Sequence, residues 1–328
     1  MSALAPVLQG FFTEYLAQRR ASQHTVSSYR DTYRLVLLYA QEHLGKPPAM
    51  LDMADLDAAM VSSFLDHLEK DRGCSPRTRN LRLSAIHSLL SYASLRCPEH
   101  AETIRRALAI PAKRRDRTVL CFLTRAETAA LLDAPDRGTA LGQRDHLLLV
   151  VAVQSGLRVS ELTGLTWADV QLGHGAYLHV RGKGRRERTT PLLPDTARSL
   201  QTWRHQRACG PQEPVFATRA GTRLSTDAVK DLLDKYVLVA AGRCPSIGRK
   251  AVTPHTMRHT CAMNLLQAGT DLATIALWLG HASTKSTDIY LHADLKLKEE
   301  ALARLAPTPL AGHRYRPTDR LLEYLEHL

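Results

Sequence analysis

Over the first 110 residues, apolar side chains recur every three to four positions with polar ones between them, the period of helices that bury one face. In TVSSYRDTYRLVLLYAQEHLG, the residues Val26, Tyr29, Tyr33, Val36, Leu37 and Ala40 fall on one such face. Ser22 stands where a hydroxyl can cap the first turn, and Gly45 where a helix can stop. A second helix is predicted after Asp55, with Val61, Phe64, Leu65 and Leu68 inward, ending at Gly73. A third begins at Ser75 as cap and Pro76 as first helical residue, a position where the missing N–H costs nothing. With an opening segment over 6–20, these predict a helical bundle spanning 1–110.

The pattern then breaks. PAKRRDRT (111–118) has four basic residues and no apolar period, and reads as the start of a linker over 111–120. A second domain is expected over 121–298. It opens with a capping-box pair, Thr124 and Glu127, and continues into the apolar RDHLLLVVAVQSGLRVSEL, with a turn at Gly156. AYLHVRGKGRRERTTPL switches to period two around Gly182-Lys183-Gly184, which predicts a β-hairpin. Helical spacing returns in DTARSLQTWRHQR, in STDAVKDLLDKYVLVAA and in the stretch over 255–292, and a Pro-broken PTPLAGHRYRPT follows. A tail over 299–328 closes on TDRLLEYLEHL, a short amphipathic helix suited to docking on itself or on a neighbouring protomer. The fold class expected is mainly α: a helical bundle followed by an α+β domain with a small antiparallel sheet.

Composition narrows the function. The chain has 328 residues, with 44 Lys and Arg against 32 Asp and Glu, a net charge of +12. That excess favours a polyanionic partner, nucleic acid before an acidic membrane. Only 5% of residues are aromatic, which argues against stacking platforms for single strands. The six cysteines are scattered without a C-x-x-C and read as reduced thiols. The first residues lack the basic-then-apolar order of a signal peptide, and the longest apolar run, LLLVVAV, is too short to span a bilayer. A soluble intracellular protein is expected.

The chemistry concentrates in HTMRHTCAMNLLQAGTDLATIALWLGHASTKSTDIYLH, residues 255–292. His255 and His259 lie one helical turn apart, a spacing that can ligate zinc. However, Thr256 occupies the position where such a hydrolase carries its glutamate base, and Arg258 would repel a divalent cation. Two ordinary helical histidines are the bland alternative. The company these residues keep is more specific. GLRVSEL supplies Arg158, RGKGRRER supplies Lys183, and the final stretch supplies His255, Arg258, His281 and Tyr290. In order and spacing, G-L-R-x-S-E-L, H-x-x-R-H, L-G-H and the tyrosine nine residues beyond resemble the tyrosine recombinase (phage integrase) family. The likeness covers about 123–292. The first domain, through S-x-H-T-V-x-S-Y-R, resembles that family's SAM-like core-DNA-binding domain. Met257, Trp278 and the longer GRCPSIGR loop depart from the pattern without touching the catalytic set.

The resemblance implies a site-specific DNA recombinase. Tyr290 would attack a phosphodiester to give a 3′-phosphotyrosyl link, and strands would be exchanged through a Holliday junction without metal, ATP or other cofactor. It implies that Arg158 and Arg258 bind the non-bridging oxygens and that His255 accepts the phenolic proton or organises its acceptor. Lys183 would be the general acid for the 5′-oxygen, and His281 would position the phosphate. Glu161, one turn beyond Arg158, orients that arginine or an adjacent catalytic group, or simply favours the helix start. Arg181, Arg185, Arg186 and Arg188 on the hairpin contact flanking phosphates or form a solubilising edge. Arg77, Arg79 and Arg82 are candidates for a groove, and Lys113, Arg114 and Arg115 for the backbone beside the linker. Partners would be double-stranded DNA, a homotetramer on paired sites, and in some systems a partner recombinase; a membrane is not among them. The role expected is integration, excision or transposition of a mobile element. The alternatives are Xer-like dimer resolution, a type IB topoisomerase-like activity, and a non-catalytic DNA-binding protein.

Overall fold

The computed structural model describes residues 3–114, 120–182, 187–207, 209–281 and 287–293. Arg115, Lys183, Arg185, Arg186 and the tail over 299–328 lie outside them. The chain divides into two units, Met1–Thr118 and Val119–Leu328.

The first unit is helical. Leu4–Gly10 runs through a π-turn at Phe11–Tyr15 into Leu16–Gln18, followed by Gln23–Leu44, Ala58–Lys70, Pro76–Ala93 and Ala101–Leu108. Sequence-encoded caps set the starts: Ser22, Asp57 and Ser75 accept from the backbone N–H of Thr25, Met60 and Thr78. Gly45 closes the long helix in the left-handed conformation. Phe11, Tyr33, Val36, Phe64, Leu65, Ile86 and Leu90 fill the core. One boundary moves: the second helix starts behind Asp57, because Asp55 is used in a 3-10 turn, where its carboxylate accepts from Asp52 N–H and Lys46.

The second unit wraps helices around a small sheet. Strands β1 (Val170–Gln171), β2 (Tyr177–Arg181) and β3 (Glu187–Pro191) lie in sequence order, all antiparallel. The hairpin follows from the period-two pattern. The two-residue β1 is too short to carry a period, so it was not expected. Leu178 and Val180 point into a core with Leu148, Leu149, Trp167, Leu200, Phe216, Leu233 and Ile247. The helices are Arg125–Leu132, Ala140–Ser155, Val159–Gly164, Pro194–Arg207, Thr226–Ala241, Pro254–Gln267, Leu272–Leu279 and Asp288–Ala293. No helix among the described residues is long and apolar enough to cross a membrane. All six cysteines are free thiols.

Glu127 anchors the approach to the Pro254–Gln267 helix. Its buried carboxylate closes the capping box with Thr124 N–H at 2.8 Å and accepts from Ser246 Oγ at 2.7 Å and Lys250 Nζ at 2.6 Å. Lys250 Nζ also donates to the Phe122 carbonyl at 2.8 Å. Burial pushes the Glu127 pKa up, but the bonds from Lys250, Ser246 and Thr124 outweigh it and hold the group at about 2. A depressed folded-state pKa stabilises above the unfolded value, 4.5, and that stabilisation is lost as pH falls toward about 2. Integrated over that window, it is on the order of 3 kcal/mol. The expectation is that urea unfolding of Glu127→Gln is weaker than wild type at pH 7, the two curves converging as pH is lowered through 4 to 2. A constant gap across that range would show that the carboxylate charge is not what stabilises the junction.

Candidate active site

Two helices of the second unit end alike. Ala140–Ser155 stops at Gly156 (φ 60°) and Leu272–Leu279 at Gly280 (φ 65°), both left-handed. Glycine is required by conformation and also by space. A Cβ at 156 would sit 2.5 Å from Leu279 Cδ2, and one at 280 would sit 2.9 Å from Arg188 Nη1.

Terminal helix turns leave carbonyls without intrahelical partners and with a partial negative charge. Here those carbonyls hold arginines. Arg258 donates from Nη1 to Gly156 O at 2.7 Å and from Nη2 to Leu279 O at 2.6 Å. Arg158 donates from Nη2 to Gly280 O at 3.2 Å. Two guanidiniums about a hundred residues apart in sequence thus converge on consecutive carbonyls of one turn. That is the physical content of the G-L-R and L-G-H motifs.

A carboxylate completes the clamp. Glu161 accepts from Arg158 through its backbone N–H at 2.9 Å and Nη1 at 2.8 Å. On its other side Arg188 donates at 3.2 and 2.8 Å, while Arg188 Nε donates to the Trp278 carbonyl at 3.0 Å. Burial raises the Glu161 pKa, yet the bonds from Arg188 and Arg158 outweigh it, so the carboxyl stays below its usual range and ionised. Arg258 is only 3% exposed. Burial, then the neighbouring Arg158, draw its guanidinium down to about 10, which still leaves it cationic at neutral pH. Three cations face one buried anion, so the cluster keeps a positive excess. The Arg158 side chain, 32% exposed, is its accessible edge. The arrangement suits binding an oxyanion through forked donors.

Tyr290, on the Asp288–Ala293 helix, is 1% exposed. Its hydroxyl lies 3.1 Å from His259 Nδ1. The ring meets His259 edge-on at 5.7 Å and stacks with His281 at 6.5 Å. Burial pushes the phenol up to about 12, with Arg258 pulling it back and Cys261 adding to the rise. His281 follows Gly280, with Nδ1 2.9 Å from Thr287 Oγ1. Burial, Arg258 and Arg158 lower its pKa to about 4. His255 is exposed, its ring 5.8 Å from that of His259, one turn along the helix.

The second unit therefore gathers Arg158, Glu161, His255, Arg258, His281 and Tyr290 in one region, and adds Arg188 and His259. Arg188, read from the sequence as a phosphate contact or a solubilising edge residue, instead turns inward to Glu161. Strand alternation carried that signal, since Arg188 pairs with buried Val180 and shares a face with buried Thr190. His259 is the group the phenol touches, and H-x-x-R-H alone does not tell it from His255.

Two groove candidates are also corrected. Arg79 is 5% exposed, ion-paired with Glu69 at 3.5 Å and within 3.4 Å of the Pro111 carbonyl. Arg82 donates to Ser28 O and Thr32 Oγ1 at 3.1 and 2.8 Å. Arg79 shares its helix face with buried Leu83, Ile86 and Leu90, so it points into the unit. Arg77 and Arg114 are exposed. Lys113 is exposed and paired with Glu69, and Arg181 is exposed beside Glu187 at 3.7 Å.

A sequence profile described as the phage integrase family matches residues 121–296, and one described as the phage integrase N-terminal SAM-like domain matches 8–96. A Sinorhizobium fredii protein named as an integrase/recombinase, y4rC, is 50% identical over 328 residues, covering 100% of this chain and 99% of its own. A protein named tyrosine recombinase XerC in Chlamydia trachomatis serovar L2 is 37% identical over 310 residues, covering 88% of this chain and 94% of its own. In fold, the chain resembles the Tn1549 transposon integrase in complex with transposon right end DNA, with TM-score 0.68 at 20% identity, covering 92% of this chain and 99% of that one.

The clamp makes a measurable demand on stability. Arg188→Met leaves a buried carboxylate with one partner and should cost roughly 3 kcal/mol in denaturant unfolding. Combined with Glu161→Gln, the loss should fall short of the sum by about 1–3 kcal/mol. Strict additivity would mean that the two groups are not energetically joined.

Proposed function

The chain belongs to the phage integrase family, the tyrosine-type site-specific recombinases, and from that membership we propose that Tyr290 is the residue that cuts and holds DNA. The observation that carries this reading is the pair of guanidiniums, Arg158 and Arg258, fixed on the adjacent carbonyls of Gly280 and Leu279, with Tyr290 packed in the same unit.

In this mechanism the scissile phosphate of double-stranded DNA enters the positive excess, and the two arginines fork onto its non-bridging oxygens. Charge growing on those oxygens in the pentavalent transition state meets donors already in place, so little reorganisation is needed. Glu161, gripped from behind by Arg188, keeps Arg158 aimed. The phenolic oxygen attacks phosphorus as the bond to the 5′-oxygen breaks, leaving a 3′-phosphotyrosyl link. Lys183 supplies the proton to the 5′-oxygen, and His281 donates to the phosphate. His255, at the outer end of the histidine pair, organises the proton path. Because Tyr290 is nearly inaccessible, the groups covering its hydroxyl must part for phosphorus to reach the oxygen.

A 5′-hydroxyl from a second strand then attacks the link and reseals the backbone. One phosphodiester replaces another of similar energy, so no nucleotide is consumed. Two such rounds in a tetramer pass through a Holliday junction. The exposed Arg77, Lys113, Arg114 and Arg181, with Arg115, Arg185 and Arg186, supply non-specific attraction to the DNA backbone. The role we favour is movement of a mobile element, because the full-length likeness is greater to a protein named integrase/recombinase than to the one named XerC. Xer-like dimer resolution is the second reading.

A nicked duplex that loses its 5′-fragment on cleavage should trap a denaturation-resistant protein–DNA adduct, and Tyr290→Phe should abolish it. Arg258→Lys should slow its formation by about 100-fold or more, because an ammonium cannot reproduce the fork. Adduct formation by Tyr290→Phe would refute the assignment. Relaxation of supercoils without paired sites, and without recombination, would favour a topoisomerase.

A further inference from the structure

The mechanism above leaves one member of the site without a task. His259 lies between the catalytic arginine next to it in sequence and the phenol, with Nδ1 3.1 Å from the Tyr290 hydroxyl. That distance is within the range in which a base takes a proton directly. We propose that His259 is a catalytic residue, the acceptor of the phenolic proton when Tyr290 attacks the phosphodiester. The inference rests on the recombinase reading and adds to it the identity of the base.

The step balances within the site. The Oη–H bond of Tyr290 breaks and its proton moves to His259 Nδ1. The oxygen's electron pair forms the new bond to phosphorus, and the bond from phosphorus to the 5′-oxygen breaks. That oxygen takes its proton from the separate acid, Lys183. His259 becomes imidazolium and returns the proton to the phenolate when the second strand reseals the link.

Three features suit His259 to this. First, its helix fixes it. Pro254–Gln267 starts from a reciprocal cap between Thr253 and Thr256, and Arg258 is pinned by two backbone carbonyls, so the adjacent imidazole has little freedom. Second, it is neutral before substrate arrives. Burial, then His255 and Arg258, lower its pKa to about 4, leaving a lone pair for the hydroxyl when Nε2 carries the hydrogen. Third, a phosphate gripped by Arg158 and Arg258 brings negative charge beside the same guanidinium that depresses the imidazole. Docking the DNA therefore raises the basicity of His259 when a base is needed. His281, the other histidine stacked on the phenol, has its Nδ1 engaged with Thr287 Oγ1.

The test uses the full chain and a pool of nicked duplexes with a randomised centre, enriched with the wild-type protein for adducts that survive denaturation. Adduct formation is timed for wild type, His259→Ala and His259→Gln, each with tyrosine or 3,5-difluorotyrosine at position 290. Fluorination acidifies the phenol and lessens the need for a base. His259→Ala should slow cleavage by about 100-fold or more. His259→Gln, which keeps bulk and a hydrogen bond but cannot take the proton, should be as slow. Difluorotyrosine should recover most of the loss in both variants and change wild type little. An unchanged deficit with the fluorinated phenol would make His259 a packing residue and overturn the proposal. Faster cleavage by His259→Ala would also overturn it, showing that the histidine restrains the tyrosine. If the wild-type protein enriches no adduct at all, the recombinase reading itself fails.

Discussion

The site depends on reconciling three buried or half-buried guanidiniums with one another. Like charges a few ångströms apart at an effective dielectric near 20 repel by about 3 kcal/mol per pair. Arg158, Arg188 and Arg258 coexist because the fold supplies fixed counter-dipoles. These are the Glu161 carboxylate between two of them and the last carbonyls of two glycine-terminated helices. The compensation is incomplete, and that incompleteness is useful. The residual positive charge has no protein anion to satisfy it among the described residues, so a phosphate diester is the natural complement.

The nucleophile side follows the opposite logic. Burial keeps Tyr290 neutral against the pull of Arg258, while burial and the arginines together keep His259 and His281 unprotonated. A neutral phenol near a neutral base is unreactive until substrate charge alters the balance. The arginines hold the histidines unprotonated, and in the proposed mechanism a bound phosphate would relieve them. Strand β3, through Arg188, ties this electrostatic centre to the sheet.

Much of this was legible before any coordinates. Ser22 and Ser75 as caps, Gly45 and Gly156 as stops, and the period-two hairpin all rest on local rules that tertiary structure did not override. The ordered arginines, histidines and tyrosine were visible because their spacing is specific. What sequence hid was direction. Arg79, Arg82 and Arg188 look like surface cations by composition, yet helix phase and strand alternation turn them toward partners within their own unit. Asp55 and Asp57 are equivalent as helix caps on paper, and only the competing 3-10 turn separates them. His255 and His259 occupy the same helix face, so which one meets the phenol depends on where a helix thirty residues later comes to rest.

The most direct test is to identify the covalently modified residue and the chemistry of its bond. Adduct trapped on a nicked duplex is digested with nuclease and protease and analysed by mass spectrometry. The account predicts a nucleotide joined through its 3′-phosphate to the peptide containing Tyr290, and to that peptide alone. A link through a 5′-phosphate, or attachment to any other residue, would contradict it.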